Sequence, residues 1–244
     1  MNKIIKRFFY RDWWWRTLIV LCAMGVMMRL GFWQLDRHYQ KSNRNIFVLK
    51  QLQMDPVPIE DINLYSAVEN LEMRAVIATG SYDYKNEFVL QGQNLRGRAG
   101  VNLITPLRLA DSDEAIMVNR GWIPYDYVDL GKLDEFHEIG KVEVVGRIRK
   151  YVSTVNDDMT LRKQSKSIYD MNLQNLQRHL HYPLFAVYLE AEVYHDSYED
   201  LPQTMTVDLA INNGPHLGYA LQWWFFVIVL GCVYVSLVRK SFIN

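Results

Sequence analysis

This chain of 244 residues is poor in cysteine, and its two thiols, Cys22 and Cys232, both fall inside long apolar runs. Nothing between those runs supplies the Cys-x-x-Cys-His of a covalently attached c-type haem, or the thiolate of a blue-copper site. A stretch of about 180 residues without cysteine also avoids stray disulfides in an oxidising compartment. Net charge is zero, so no global field points to nucleic acid. Phosphate-binding glycine loops, a Gly-x-Ser-x-Gly elbow and a His-Glu-x-x-His pair are all missing. Internal repeats and low-complexity linkers are absent as well.

What is present is a segregation of charge. The first sixteen residues hold Lys3, Lys6, Arg7, Arg11 and Arg16 against Asp12 alone, and the last six hold Arg239 and Lys240 without an acid. Residues 36 to 217 carry 19 Lys and Arg against 26 Asp and Glu. Basic ends around an acidic middle fit a membrane protein. The run 219–238, YALQWWFFVIVLGCVYVSLV, is uncharged and has the roughly 20 residues that a helix needs to cross a bilayer. The earlier run, 13–35, is interrupted by Arg16 and Arg29. It spans if Trp13, Trp14 and Trp15 mark one interface, Trp33 marks the other, and Arg29 snorkels. A signal sequence is the alternative, but no small-residue cleavage site follows the run. The positive-inside rule then puts both termini, 1–12 and 239–244, in the cytoplasm and the domain 36–217 on the outer side.

Residues 36–54 read as a continuation of the first helix until Pro56 and Pro58. Short runs rich in Val, Ile, Leu and aromatics follow at 74–80, 87–92, 101–109, 115–121, 142–148 and 184–190. GQNLRGRAG reads as a hairpin loop, and 169–180 as the one good internal helix. The expected fold is therefore two transmembrane helices flanking one β-rich α+β domain, an antiparallel sheet or partly closed barrel.

Acidic clusters at 111–114 and 156–158 read as solvated turns, so the candidate chemistry rests on six histidines. His179 and His181 could chelate a metal as a strand pair, but a helix C-terminus is the simpler setting. His137 and His195 stand among acids and read as surface residues. His38 and His216 each adjoin the outer end of a span, where a neutral imidazole could ligate haem iron beside Trp33, Trp223, Trp224 and Phe225. Interfacial anchoring explains the same residues without a ligand. In MVNRGWIPYD, 117–126, turn chemistry accounts for Gly121 and Pro124. It does not require Arg120 or Trp122, which either pair inside the domain or meet a partner.

Five stretches, taken in order, resemble the surfeit-locus cytochrome c oxidase assembly proteins. GFWQLDRHYQK carries Gly31, Trp33, Gln34, Arg37 and Lys41. GSYDYKNEF, GVNLITPLRL and IMVNRGWIP carry Gly80, Tyr82, Glu87, Gly100, Thr105, Pro106, Asn119, Arg120, Gly121, Trp122 and Pro124. GPHLGYALQWW carries His216, Tyr219, Gln222 and Trp223.

The resemblance implies a non-enzymatic helper in building the haem–copper oxidase. It would assist haem a insertion into subunit I or the stabilisation of that subunit, with His216 as haem ligand, His38 as a second candidate and no other metal. Implied partners are subunit I, other oxidase subunits or haem a synthase, and the lipid bilayer. Contacts would fall on Trp33, Gln34, Arg37, Asn119, Arg120, Trp122, Tyr219, Gln222 and Trp223. Gly-Pro before the histidine fits the bacterial form, hence the bacterial cytoplasmic membrane. A permanent accessory subunit would use the same surfaces, and an anchored enzyme would need a shielded polar cluster that these residues do not spell out.

Overall fold

A computed structural model describes residues 14–64, 70–110, 112–152, 161–162, 165–192, 201–204 and 213–241. The chain divides into two compact units, Met1–Phe47 with Ala210–Asn244, and Val48–Leu209. Trp13, His195 and the acidic turns at 111 and 156–158 lie outside the described residues.

The first unit is a pair of helices. α1 (Trp14–Leu52) is one uninterrupted helix of 39 residues. At 1.5 Å per residue that is about 58 Å, roughly twice a hydrocarbon core, so its polar second half stands clear of the lipid. The last helix, α4 (His216–Lys240, with α2 and α3 lying in the other unit), ends on Arg239 and Lys240, cations suited to a helix C-terminus. Both helices are long and apolar enough to cross a membrane. Leu18, Ile19, Leu21, Val26, Phe225, Ile228, Val233 and Leu237 are exposed on them. A core helix of a water-soluble protein would bury these side chains, whereas in lipid they face their own kind. Arg29 also points outward, so it does not interrupt the packing between the helices.

That packing runs antiparallel along a seam with a seven-residue repeat. Thr17 Oγ1 and the Tyr234 hydroxyl share a buried 2.6 Å hydrogen bond. Gly231 faces Met24, Gly31 lies under the indole of Trp224, and Asn45 Nδ2 donates to Asn213 Oδ1 at 2.8 Å. On α4 the buried positions are Ala220, Val227 and Tyr234, again seven apart, followed by Val238 one turn further on.

The second unit, Val48–Leu209, is the β-rich domain. Its strands are β1 (Val57–Pro58), β2 (Ala75–Tyr82), β3 (Phe88–Leu95), β4 (Arg98–Leu109), β5 (Ala115–Pro124), β6 (Val142–Lys150), β7 (Leu161–Arg162), β8 (Ser165–Ile168) and β9 (Leu184–Ala191). All six expected strands are present, each extended by one to three residues at an end. The order β2-β6-β9-β5-β4 closes on itself through a β2–β4 seam, giving a five-stranded barrel. β3, β8 and β7 extend the sheet beyond β4. Four of the barrel's five pairings are antiparallel; β5–β9 is parallel, because β9 inserts between β5 and β6.

Period-two alternation distributes the core. Ile116 and Val118 of β5 point into the barrel with Val76, Ala78, Leu107, Val144, Ile148, Val187 and Leu189. Ala115 and Met117 point the other way, under a lid of Phe88, Ile168, Met171, Leu176 and Leu180. Strands covered on both faces read as continuous apolar runs, which explains VNLITPLRL and AIMVN. The hairpin between β3 and β4 turns on Arg96 and Gly97, both at positive φ (51° and 83°), as the right-handed twist of two strands requires. The expected helix 169–180 contracts to α3 (Leu173–Gln177). Met171 spends its carbonyl on the Val152 N–H, so the helix starts only after the Asn172 side chain caps Asn175 N. α2 (Tyr125–Asp129), directly after Pro124, was not expected.

Candidate functional site

Two places gather the residues that the sequence singled out. The first lies in the domain, around Arg120. β5 carries a bulge there: Leu103 pairs with Gly121 and Ile104 with Asn119, which leaves Arg120 as the extra residue. A bulge re-aims its side chain, and this one turns Arg120 inward. Its guanidinium donates to Glu87 Oε2 at 3.3 Å, to Glu138 Oε1 at 3.1 Å and to the carbonyl of Phe136. It also lies over the rings of Tyr82 and Tyr84, 4.8 and 5.2 Å from their centroids.

Glu87 is completed by the Thr105 hydroxyl, which donates to it at 2.5 Å, and by His137 Nε2 at 3.8 Å. His137 stacks on Tyr84 with 3.8 Å between centroids, so the expectation of a solitary surface histidine is corrected. Burial holds the Glu87 carboxyl above its ordinary value, with Thr105 and Arg120 pulling it back down. Burial likewise raises the phenols of Tyr82 and Tyr84. An open cavity of about 750 Å³ borders this knot, lined by Tyr82, His137 and Glu138 among others.

The neighbouring glycines mark close approaches. A Cβ on Gly80 would overlap the Arg108 carbonyl at the barrel's closing seam, and one on Gly100 would overlap the Ile123 carbonyl and the indole of Trp122. Gly121 sits at φ +123° against Gln203, whose backbone exchanges two hydrogen bonds with Trp122, at 2.7 and 2.9 Å. Asn119, Arg120 and Trp122 are 8, 4 and 3% exposed. The corner expected to offer them to a partner therefore exposes little of its own side chains, although Arg120 lines the open cavity. Its arginine is an internal ion-pair residue, shielded by the strands that the bulge joins.

The second place is the N-terminal end of α4, where it meets the middle of α1. His216 is the first residue of α4, half-buried, and its Nδ1 lies 2.8 Å from Gln34 Oε1. Gly214, at φ +68°, lies beside the other edge of the ring. Gly31 admits the indole of Trp224, which also meets Phe32 edge-on with 5.5 Å between centroids. Trp33 is 43% exposed and Tyr219 48%. Arg37, whose guanidinium is 5.9 Å from the Trp33 ring, and Gln222 are exposed too, and Trp223 is half-buried. His38 lies on the seam face of α1, seven residues from Gly31 and from Asn45. Its Nδ1 is enclosed without a hydrogen-bond partner, while the ring meets Tyr39 edge-on.

Among the described residues no three His, Cys, Asp or Glu side chains gather as a metal cage. His179 Nδ1 instead bonds the Asn175 carbonyl at 2.9 Å, and His181 is exposed. The expected His179 setting at a helix end holds, although that helix is one short turn. An imidazole with one free nitrogen among aromatic rings can still hold a metalloporphyrin by a single axial bond.

Fold and site together define a two-span membrane protein whose barrel domain carries a buried ion-pair cluster around one arginine. The profile of the SURF1 family matches residues 21–228, and the chain belongs to that family. It is 27% identical to a SURF1-like protein of Rickettsia felis, over 93% of this chain and 98% of that one. It is also 27% identical to a SURF1-like protein of Rickettsia prowazekii, over 92% and 90%. The surfeit locus protein 1 of Mus musculus is 26% identical over 56% of this chain and 47% of its own length.

Proposed function

We propose that this protein is a non-catalytic assembly factor for the haem–copper terminal oxidase, and that it holds haem a through His216 on the way to subunit I. Family membership supports the first half, with the bacterial relatives matching over nearly their whole length. The second half rests on one observation: His216 opens α4 with one ring nitrogen engaged by Gln34 and the other uncommitted. The residues fit the group. Trp33 adjoins Gln34 in the chain, and Trp223 and Trp224 follow about two turns further along α4, so the helix pair carries flat apolar surface on the side towards the membrane span. When bound, the haem supplies an iron centre that takes an axial nitrogen. The chain's part is to present that nitrogen at the depth where a membrane-borne porphyrin travels.

The protein works in the bacterial cytoplasmic membrane with both termini inside and the barrel outside, as the basic flanks direct. Its partners are subunit I, other oxidase subunits or haem a synthase, met through the exposed Trp33, Arg37, Tyr219 and Gln222. The test is an optical spectrum of the protein purified after co-expression with haem a synthesis. Wild type copurifies with low-spin haem, and His216→Ala inserts normally without it. Absence of haem, or an unchanged spectrum in the variant, would overturn the haem half of the reading. Reporter fusions at Asn2 and Asn244 should both read cytoplasmic.

A further inference from the structure

A neutral imidazole has one N–H and one lone pair, and the partner of the N–H decides which nitrogen is free to bind metal. At His216 the partner of Nδ1 is the side-chain oxygen of Gln34, 2.8 Å away. An amide oxygen only accepts, so Nδ1 carries the hydrogen and the lone pair stands on Nε2. The opposite edge of the ring faces Gly214 and Lys41. Gly214 adopts φ +68°, and a Cβ there would stand 3.3 Å from Cδ2 and 3.4 Å from Nε2 of His216, and 3.4 Å from Lys41 Nζ. With glycine, no side chain at that position narrows the space between the lone pair and the Lys41 ammonium.

Gln34 is itself held in place from both sides. One turn earlier Gly31 seats Trp224, and three turns later Asn45 donates to Asn213 at 2.8 Å. The seam fixes the register of the two helices, and the register sets Gln34 opposite His216.

We infer that Gln34 is a positioning residue: it fixes His216 as the Nδ1–H tautomer and presents Nε2, across the gap left by Gly214, as the ligating atom for a metalloporphyrin. The ligand in this inference rests on the haem reading above, but the tautomer does not. Removing such an outer hydrogen-bond partner typically weakens metal affinity by about 10–100-fold. Gln34→Glu keeps an acceptor and preserves ligation, whereas Gln34→Leu loses it.

The experiment uses the full-length protein in detergent, free of haem, with 15N-labelled histidine. Two-bond nitrogen–proton couplings report each ring's tautomer. Wild type should show His216, assigned by its loss in His216→Ala, as Nδ1–H. Gln34→Leu should shift it towards Nε2–H, and Gln34→Glu should restore the wild-type pattern. Ferric haem is then titrated against the same three proteins and the Soret band followed. The expected ranking is wild type and Gln34→Glu alike, with Gln34→Leu weaker by about 10–100-fold.

An Nε2–H ring in wild type overturns the inference even if Gln34→Leu fails to insert. So does a Gln34→Leu protein with unchanged tautomer and unchanged haem affinity. If the tautomer behaves as stated but wild type takes up no haem, the haem reading fails while Gln34 still orients His216.

Discussion

The two units solve the problem of a polar group in an apolar setting in opposite ways. Inside the barrel domain the polar centre is closed: Arg120 meets two carboxylates, a carbonyl and two aromatic faces, and Glu87 meets a hydroxyl besides. At the N-terminal end of α4 it is left open. Gln34 engages one nitrogen of His216, and a glycine stands where a side chain would cover the other. A fully satisfied centre rigidifies a fold, while a half-satisfied one keeps capacity for a ligand. The residues most prominent in the sequence therefore divide into a structural set around Arg120 and a ligand-facing set around His216.

The comparison breaks most sharply at Arg120. Arg120→Ala strands Glu87 as a buried charge without its main partner, and loss of one partner in such a pair costs about 3–5 kcal/mol. The variant should disappear from membranes at growth temperature, as immunoblotting of membrane fractions would show, and Arg120→Lys should recover only part of the yield. Normal levels of Arg120→Ala with a failing oxidase would return Arg120 to the partner surface.

Gly31→Ala is next. Its methyl group would overlap the indole of Trp224, and overpacking of a tight contact costs about 1–3 kcal/mol. Pairing of the two helices, followed by disulfide trapping between cysteines placed at Thr17 and Tyr234, should weaken. Trp224→Leu in the same chain should restore it.

A smaller effect is expected from pH. Burial holds the carboxyl of Glu87 above its ordinary 4.5, and that of Glu190 likewise. The folded protein thus binds these protons more tightly than the unfolded chain does. Their contribution is fully present below pH 4.5 and is lost as pH rises through the folded values. Asp83 has the opposite sign. Burial pushes it up, but hydrogen bonds from Asn86 and Tyr182 win and hold it below 3.8, so its share is lost as pH falls beneath that. Denaturant titrations from pH 4 to 7 should show stability declining upward, with a shallower slope in Glu87→Gln.

The smallest effect belongs to Thr17→Val, which removes the bond to Tyr234. Hydrogen bonds between helices in membranes average about 0.6 kcal/mol, so only a sensitive unfolding assay should register it.

Much of the architecture could be read from residue order. Six strands, the hairpin at Arg96–Gly97 and both long helices follow from apolar period, turn residues and uncharged length, all of them local signals. What stayed hidden is non-local. No window of sequence tells β9 to enter between β5 and β6, or tells β5 to carry an extra residue at Arg120. Glu87 stood out only as a match to the family pattern and its ion pair stayed hidden, because its partners Thr105, Arg120 and His137 come from three other segments. His216 drew notice by its place beside a span, but its link to Gln34 depends on the register of two helices 182 positions apart.

The placement of β9 also governs how the domain can be made. β5 and β6 are neighbours in sequence, yet they never touch as strands, because the last strand synthesised lies between them. Until Leu184–Ala191 has left the ribosome, the nascent domain carries two open edges facing an unfilled slot, and such edges recruit foreign strands. Only then does the chain produce α4, the segment bound for the membrane. A nonsense mutation between the end of β6 and residue 184 thus leaves a template for aggregation instead of a smaller barrel. The order of synthesis makes completion of the fold and arrival of the second anchor nearly simultaneous events.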